Sequence, residues 1–502
     1  MIRYLYRAET CDKVITNRRH SISAGMPDAK QMERGGRAKL MKYKRKPNSY
    51  VYLDTPCGTV RGLRRDGYLL FAGIPFASAG RWEDPKVVEH WEGVYDATRF
   101  GPLCSQQLAF HPEYGQNDGY SRFYYEQNAQ KPIYEYSENG LNLNIWAPEK
   151  GEKLPVAVFI HGGSFLTGGN SSPNICNGAD YCRRGVILVN LNYRLNAFAT
   201  GYDKTHKGNY ALKDQVAALT WVKQNIAAFG GDPDRIVGMG ESAGALSLQL
   251  LLYCPMARDL LKGAIFMSGG GNFESLGTPA RPEISELVWK LVMEKFGADS
   301  LDALKDVPAM EVYDAWQEAR ASDITLENNC AKPIVDGEWV PAGFAELAAK
   351  HEILDIPCIL GMSSQDMYPY YLYQFIVDWA AYHERDGRKP VYGYYLDRQV
   401  PGGDNVGAYH GVDLWYAFGT LDANWRPFEE IDYRISEHMI DYFAGFIKTG
   451  VPQAEGLCQW EPMTGGSARF LRFGDDPPQM YQPPVEQLIS DIRNTLKPFP
   501  GM

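Results

Sequence analysis

Residues 229–252 read FGGDPDRIVGMGESAGALSLQLLL, and the rest of the chain is best understood outward from them. Residues 235–240 form a short apolar run that predicts a buried strand, and a helix opens at Ala243. Ser242 stands at the turn between them, inside Gly240-Glu241-Ser242-Ala243-Gly244. A serine hydroxyl is a weak nucleophile until a base takes its proton, so it must project from the backbone toward a partner. A sharp strand-to-helix turn achieves this, and glycines two residues on either side relieve the crowding it creates. The following helix places free N–H groups and the positive end of its dipole beside the serine, where a developing oxyanion is stabilised. With 50 glycines in 502 residues the five-residue pattern alone is weak, and the strand before it and helix after it give it meaning.

Upstream, a strand over residues 156–160 runs into His161-Gly162-Gly163-Ser164-Phe165. Adjacent glycines after a buried strand let backbone N–H groups turn inward together as an anion-binding nest, although a plain turn has the same composition. In acyl transfer such donors stabilise the tetrahedral oxyanion. His161 precedes the serine and reads as a residue that holds this loop. Further strands are expected at residues 141–146, 186–192 and 264–267, and a helix at residues 211–229. In that helix Val216, Leu219, Val222 and Ile226 recur at helical spacing, with Asp214 near its positive end. Strands alternating with helices predict an α/β fold with a mostly parallel sheet covered on both faces, and a site at the strands' carboxyl edge. Nearer the N-terminus, residues 51–53 and 68–71 with Gly58, Gly62 and Gly67 predict an antiparallel hairpin at a sheet edge. Residues 81–136, rich in Tyr, Gln, Asn and Pro, read as long loops of the kind that wall a site.

Composition narrows the function classes. The chain is 45% hydrophobic and 22% charged, with a net charge of −10 and a pI near 5.5, which argues against nucleic acid as a partner. No apolar run is long enough to span a membrane. Residues 1–46 hold 13 Lys+Arg against 4 Asp+Glu, about +9, leaving about −19 for the remainder. This arm lacks the apolar core and cleavage site of a secretion signal, so residues 1–47 are expected to be a disordered basic extension. Residues 48–502 are expected to form a single domain. The nine cysteines are scattered and form no CxxC pair, so no metal or cofactor is expected and a reducing, cytoplasmic setting fits. Cys358, in an apolar run, reads as a small buried hydrophobe.

Several motifs stand in a recognisable order: Thr59-Val60-Arg61-Gly62, residues 71–76 (FAGIPF), Trp91-Glu92-Gly93-Val94 and residues 141–146 (LNLNIW). His161-Gly162-Gly163, Asn192-Tyr193-Arg194-Leu195, Gly208-Asn209-Tyr210 and residues 229–233 (FGGDP) follow, before the Gly240–Gly244 turn. In these the chain resembles the type-B carboxylesterase family, which includes bacterial esterases, animal carboxylesterases and cholinesterases, over roughly residues 50–500. The resemblance implies an α/β-hydrolase fold, with Ser242 as nucleophile and its partners following in the order acid, then histidine.

Of the downstream histidines, His410 matches the family's histidine motif in Gly407-Ala408-Tyr409-His410-Gly411, followed by Asp413 and Leu414-Trp415-Tyr416. His351 and His438 read as exposed helical positions, and His383 lies in a charged stretch. Asp366 is the first carboxylate past the strand expected at residues 356–360, where the family carries its acid, usually Glu. Its rival, Asp336, reads as part of an Asp-Gly turn. The resemblance further implies an oxyanion hole formed by Gly162, Gly163 and Ala243. Glu241 is expected to point away from the pocket and bond locally.

Three departures are informative. Cys104 matches one half of a disulfide of secreted relatives, but its partner's place holds no cysteine. Asn139-Gly140 replaces the usual Asp-Cys. The short segment between Asp366 and His410 suggests a shallower, more open pocket than in the animal enzymes. Aromatics at residues 368–375 and at Trp415-Tyr416 fit either a pocket lining or the core. The expected function is hydrolysis of small uncharged esters, apolar or aromatic, through a Ser-His-Asp triad and an acyl-enzyme. Lactones, thioesters and carbamates remain open as substrates. A non-catalytic binding or adhesion protein on the same fold is the alternative.

Overall fold

The computed structural model describes residues 49–111, 127–129, 134–171, 174–271 and 278–495, all within one compact unit, Pro47–Met502. The basic segment at residues 1–47 lies outside the described residues. The chain begins with three antiparallel strands, β1 (Ser49–Thr55), β2 (Gly58–Arg64) and β3 (Tyr68–Pro75). Then follow β4 (Asn142–Pro148), β5 (Leu154–Ile160), β6 (Ile187–Leu191), β7 (Gly231–Glu241) and β8 (Gly263–Met267). The series ends with β9 (Cys358–Ser363), β10 (Val391–Leu396), β11 (Phe470–Phe473) and β12 (Gln479–Tyr481).

These strands form one sheet in the order β1-β2-β3-β4-β6-β5-β7-β8-β9-β10-β11-β12, with the short strand Val94–Asp96 beside β2. Every pair from β6 to β11 is parallel, and antiparallel pairs close both ends. The central strands are buried on both faces, which is why they read as near-continuous apolar runs rather than alternating ones.

Alternation along β5 divides the interior in two. Val156, Val158 and Ile160 join a core that includes Trp221 of α1 (Tyr210–Asn225) and Leu248 of α2 (Ala243–Tyr253). Ala157 and Phe159 join the opposite core, with Phe443 and Phe446 from a helix at Glu430–Thr449. Helices therefore cover both faces. Among the described residues no helix is long and apolar enough to cross a membrane.

A buried ion pair ties the loop after β6 to α1. Arg194 donates from Nε and Nη2 to the two oxygens of Asp214 at 2.8 and 2.7 Å, with both side chains almost fully enclosed. Arg194 also reaches the Glu83 carbonyl at 2.8 Å, so the charge is hydrogen-bonded as well as paired.

Candidate active site

Strand β7 ends at Glu241 and α2 opens at Ala243, leaving Ser242 alone at the elbow with φ +54° and ψ −121°. Positive φ is unfavourable for a residue with a side chain, and it persists here because the surroundings permit no other path. A Cβ on Gly240 would lie 2.3 Å from the Gly244 carbonyl oxygen, and one on Gly244 only 2.0 Å from that of Ile160. The two glycines therefore let α2 start directly against β5 and β7. The Ser242 N–H donates to Met267 O at 3.0 Å, which fastens the elbow to β8.

The loops that follow β9 and β10 converge on the serine. His410 Nε2 lies 2.9 Å from Ser242 Oγ, and its Nδ1 lies 2.7 Å from Asp366 Oδ1. With Nδ1–H donating to the carboxylate, Nε2 of the neutral ring is free to accept the serine proton. Asp366, 1% exposed, also accepts the Met367 N–H on the same Oδ1 at 2.8 Å, while Oδ2 faces the Ser363 N–H at 3.4 Å. The acid loop is fastened to the base loop by Gln365 N–H donating to Ala408 O at 3.0 Å.

The other candidates stand elsewhere. Asp336 accepts the N–H groups of Glu338, Trp339 and Val340 and is engaged in a turn, as its Asp-Gly context suggests. His351 is exposed and His438 half-buried. His383 is likewise engaged elsewhere. Despite its charged neighbours it is buried, one turn beyond Trp379 on the helix Pro369–Arg385, stacks on that ring and pairs Nδ1 with Lys389 O.

Glu241 departs from the sequence reading. It lines the pocket and brings Oε1 to 3.4 Å from His410 Nε2. The cause is its neighbour across the site: a Cβ on Gly162 would lie 2.5 Å from Glu241 Oε2, so the carboxyl occupies the space a side chain there would fill. Burial raises the Glu241 pKa to about 8, with the nearby carboxylates of Asp413 and Asp366 adding to this and His410 opposing it. Burial acts against charge on His410, but Asp366, with Glu241 and Asp413 behind it, outweighs that and lifts the imidazole to about 9. Asp413 lies fully buried and accepts from Tyr394 OH at 2.6 Å and Ser268 Oγ at 2.9 Å.

The loop after β5 carries Gly162 and Gly163 past the serine. Among the described residues, the N–H groups of Gly162, Gly163 and Ala243 have no acceptor. Gly163 has φ +106°, and a Cβ there would lie 2.1 Å from the Thr167 carbonyl oxygen. His161 holds the loop's start. It pairs Nδ1 with Gly162 O at 2.8 Å and stacks on Tyr193 with 4.3 Å between ring centroids. Burial pushes its pKa down to about 4, so this ring stays neutral.

A cavity of about 310 Å³ opens over Ser242 and His410. Leu103, Leu108, Phe159, Ile175, Leu414 and Trp415 give it an apolar lining. Among the described residues no Lys or Arg lines it, and Glu241 is its single carboxyl. Among the described residues of 81–136, Leu103, Gln106, Leu108, Gln127, Tyr134 and Tyr136 form part of the wall. Trp415 faces the cavity, whereas Tyr416 is buried and donates to Asp432 at 2.7 Å. No residue of 368–375 lines it. Cys104 is a buried free thiol.

The model of the carboxylesterase family matches residues 49–378 and 365–488. The chain belongs to the carboxylesterase family. It is 33% identical to acylcarnitine hydrolase of Rattus norvegicus, over 86% of this chain and 89% of that one. It is also 33% identical to para-nitrobenzyl esterase of Bacillus subtilis, over 64% of each chain. Among solved structures, a thermophilic para-nitrobenzyl esterase superposes with a TM-score of 0.74 at 25% identity, covering 89% of this chain and all of that one. A carboxylesterase of Geobacillus stearothermophilus gives 0.71 at 26% identity, covering 88% of this chain and 99% of that one. These matches place the sheet and its helices in the α/β-hydrolase fold of esterases, and the family is one of serine carboxylic ester hydrolases.

Proposed function

We propose that this carboxylesterase-family chain hydrolyses small uncharged esters with apolar or aromatic groups, through Ser242, His410 and Asp366. The supporting observation is the unbroken chain of contacts from Asp366 Oδ1 to His410 Nδ1 (2.7 Å) and from His410 Nε2 to Ser242 Oγ (2.9 Å). His410 takes the Ser242 proton as Oγ attacks the ester carbonyl. The new oxyanion turns toward the N–H groups of Gly162, Gly163 and Ala243. His410 then hands the proton to the leaving alcohol, and an acyl group remains on Oγ. Water repeats the sequence, releasing the acid and restoring the serine. Asp366 holds the imidazole in the tautomer that presents Nε2 as acceptor and steadies its charged form.

The apolar cavity supports the substrate class. Its size suits a compact ester, and among the described residues the lining has no Lys or Arg to offer an anionic acyl group a counter-charge. The test is hydrolysis of p-nitrophenyl esters of increasing acyl length by the wild type and Ser242→Ala. Turnover should vanish in the variant, falling by at least about 10³-fold. A folded wild type that neither turns over any ester nor is labelled at Ser242 by a fluorophosphonate overturns the reading.

A further inference from the structure

The oxyanion donors lie on a glycine-containing loop, and such a loop places N–H groups accurately only if something holds it. Residues 161–170 are fastened at their start by Tyr193 OH donating to His161 O at 2.8 Å. In the middle, the Asn196 N–H donates to Phe165 O at 2.7 Å. At the end, Asn170 enters a buried amide cluster. It receives Asn144 Nδ2 on its carbonyl at 2.9 Å and donates its own N–H to Asn192 Oδ1 at 2.8 Å.

The fourth fastening differs from these. Gln106 comes from the pocket wall rather than from the sheet. Its Nε2 donates to Gly168 O at 2.8 Å, and its Oε1 accepts the Gly168 N–H at 3.0 Å. The amide thus closes a two-bond ring on one backbone unit, as a neighbouring β-strand would. Nε2 also donates to Cys104 O at 3.1 Å, which locks the side chain to its own segment. Gln106 is 3% exposed and, like Gly162, Gly163 and Gly168, lines the cavity. Gly168 has little freedom of its own, because a Cβ there would lie 2.5 Å from His161 Nδ1 and 2.6 Å from Gly162 O. A shift at Gly168 is therefore felt directly at His161 and Gly162.

We propose that Gln106 is a positioning residue for the oxyanion loop, coupling the wall of the substrate pocket to the Gly162 and Gly163 donors. This rests on the reading of those N–H groups as the oxyanion hole. Gln106 touches neither the reacting carbonyl nor Ser242. Its role is to keep the donors aimed at the oxygen's position in the tetrahedral state, which differs from that in the bound ester. Its loss should lower kcat with little change in KM.

The decisive variant is Gln106→Met, which keeps the length and removes all three hydrogen bonds. With a p-nitrophenyl ester that the wild type turns over, kcat should fall about 10- to 100-fold and KM stay within about threefold. A trifluoromethyl ketone, whose serine adduct carries the oxyanion, should lose affinity by the same factor as kcat/KM. A melting point lowered with kcat and inhibitor affinity intact would overturn the proposal, as would a loss confined to KM. If the methionine variant does not fold, Gln106→Glu, which retains the acceptor for the Gly168 N–H, is measured the same way. Unchanged inhibitor affinity there overturns the proposal equally. A wild type without turnover or Ser242 labelling would instead sink the esterase reading, which separates the two failures.

Discussion

The Ser242 elbow is set by close backbone approach, against β5 and the start of the loop at Gly162, whereas Asp366 and His410 are placed by hydrogen bonds between loops. On the first side the decisive feature is the absence of side chains: at Gly162, Gly240 and Gly244 a single Cβ would lie 2.0–2.5 Å from neighbouring atoms. On the second side, the acid loop leans on the base loop through Gln365, and Asp366 is held by His410 and the Met367 N–H. Close approach admits one solution, glycine. A hydrogen-bonded carboxylate admits several, because Asp or Glu on slightly different loops can reach the same imidazole. The nucleophile half should therefore break at the level of folding, and the acid–base half at the level of chemistry.

Gly244→Ala tests the first half and should have the largest effect on folding. Its methyl group would meet the Ile160 carbonyl at 2.0 Å, where backbone stands on both sides and no side chain can swing away. A loss of about 3 kcal/mol or more in unfolding free energy is expected, read from the denaturant midpoint and from soluble yield. A variant that unfolds where the wild type does would remove close approach as the reason for this glycine.

Asp366→Asn tests the second half. The substituted amide can keep its oxygen on both the Met367 N–H and the His410 Nδ1–H, which share Asp366 Oδ1, but it carries no negative charge to steady the imidazolium formed when His410 takes the Ser242 proton. A fall of about 10³- to 10⁴-fold in kcat is expected, with an unfolding midpoint close to that of the wild type. If its stability instead dropped as far as that of Gly244→Ala, the contrast between the halves would collapse.

The same contrast explains what could be read from the sequence. Gly240, Ser242 and Gly244, the His161-Gly162-Gly163 loop and the parallel strands around them are legible because sterics and burial leave few alternatives. His410 was legible through its motif. Asp366 followed from being the first carboxylate beyond a strand and from standing where the family carries its acid, since no steric constraint fixes a carboxylate at that position. Glu241 was misread because its direction depends on the empty space at Gly162, which is distant in sequence and adjacent only in the fold. Gln106 carries no local signal, because its partner at Gly168 lies 62 residues away.

Glu241 belongs to the nucleophile strand yet touches the base, so it is where the two halves meet and where the smallest effect is expected. Its carboxyl stands 3.4 Å from His410 Nε2 and, raised by burial to about 8, ionises within the range where His410 loses its proton. On the proposed mechanism His410 must be neutral to take the Ser242 proton, so kcat/KM should rise with pH along a limb above the ordinary imidazole value of 6.5. Removing a negative charge beside an imidazolium lowers its pKa. Glu241→Gln should therefore move that limb downward, by about one unit or less, and leave the plateau within about threefold of the wild type. The pH profile of kcat/KM for the two proteins checks this directly. A limb that moved upward would contradict the charge argument. A plateau lost by orders of magnitude would mean that Glu241 does more than set the basicity of His410, and would draw the acid–base half and the nucleophile half into one unit.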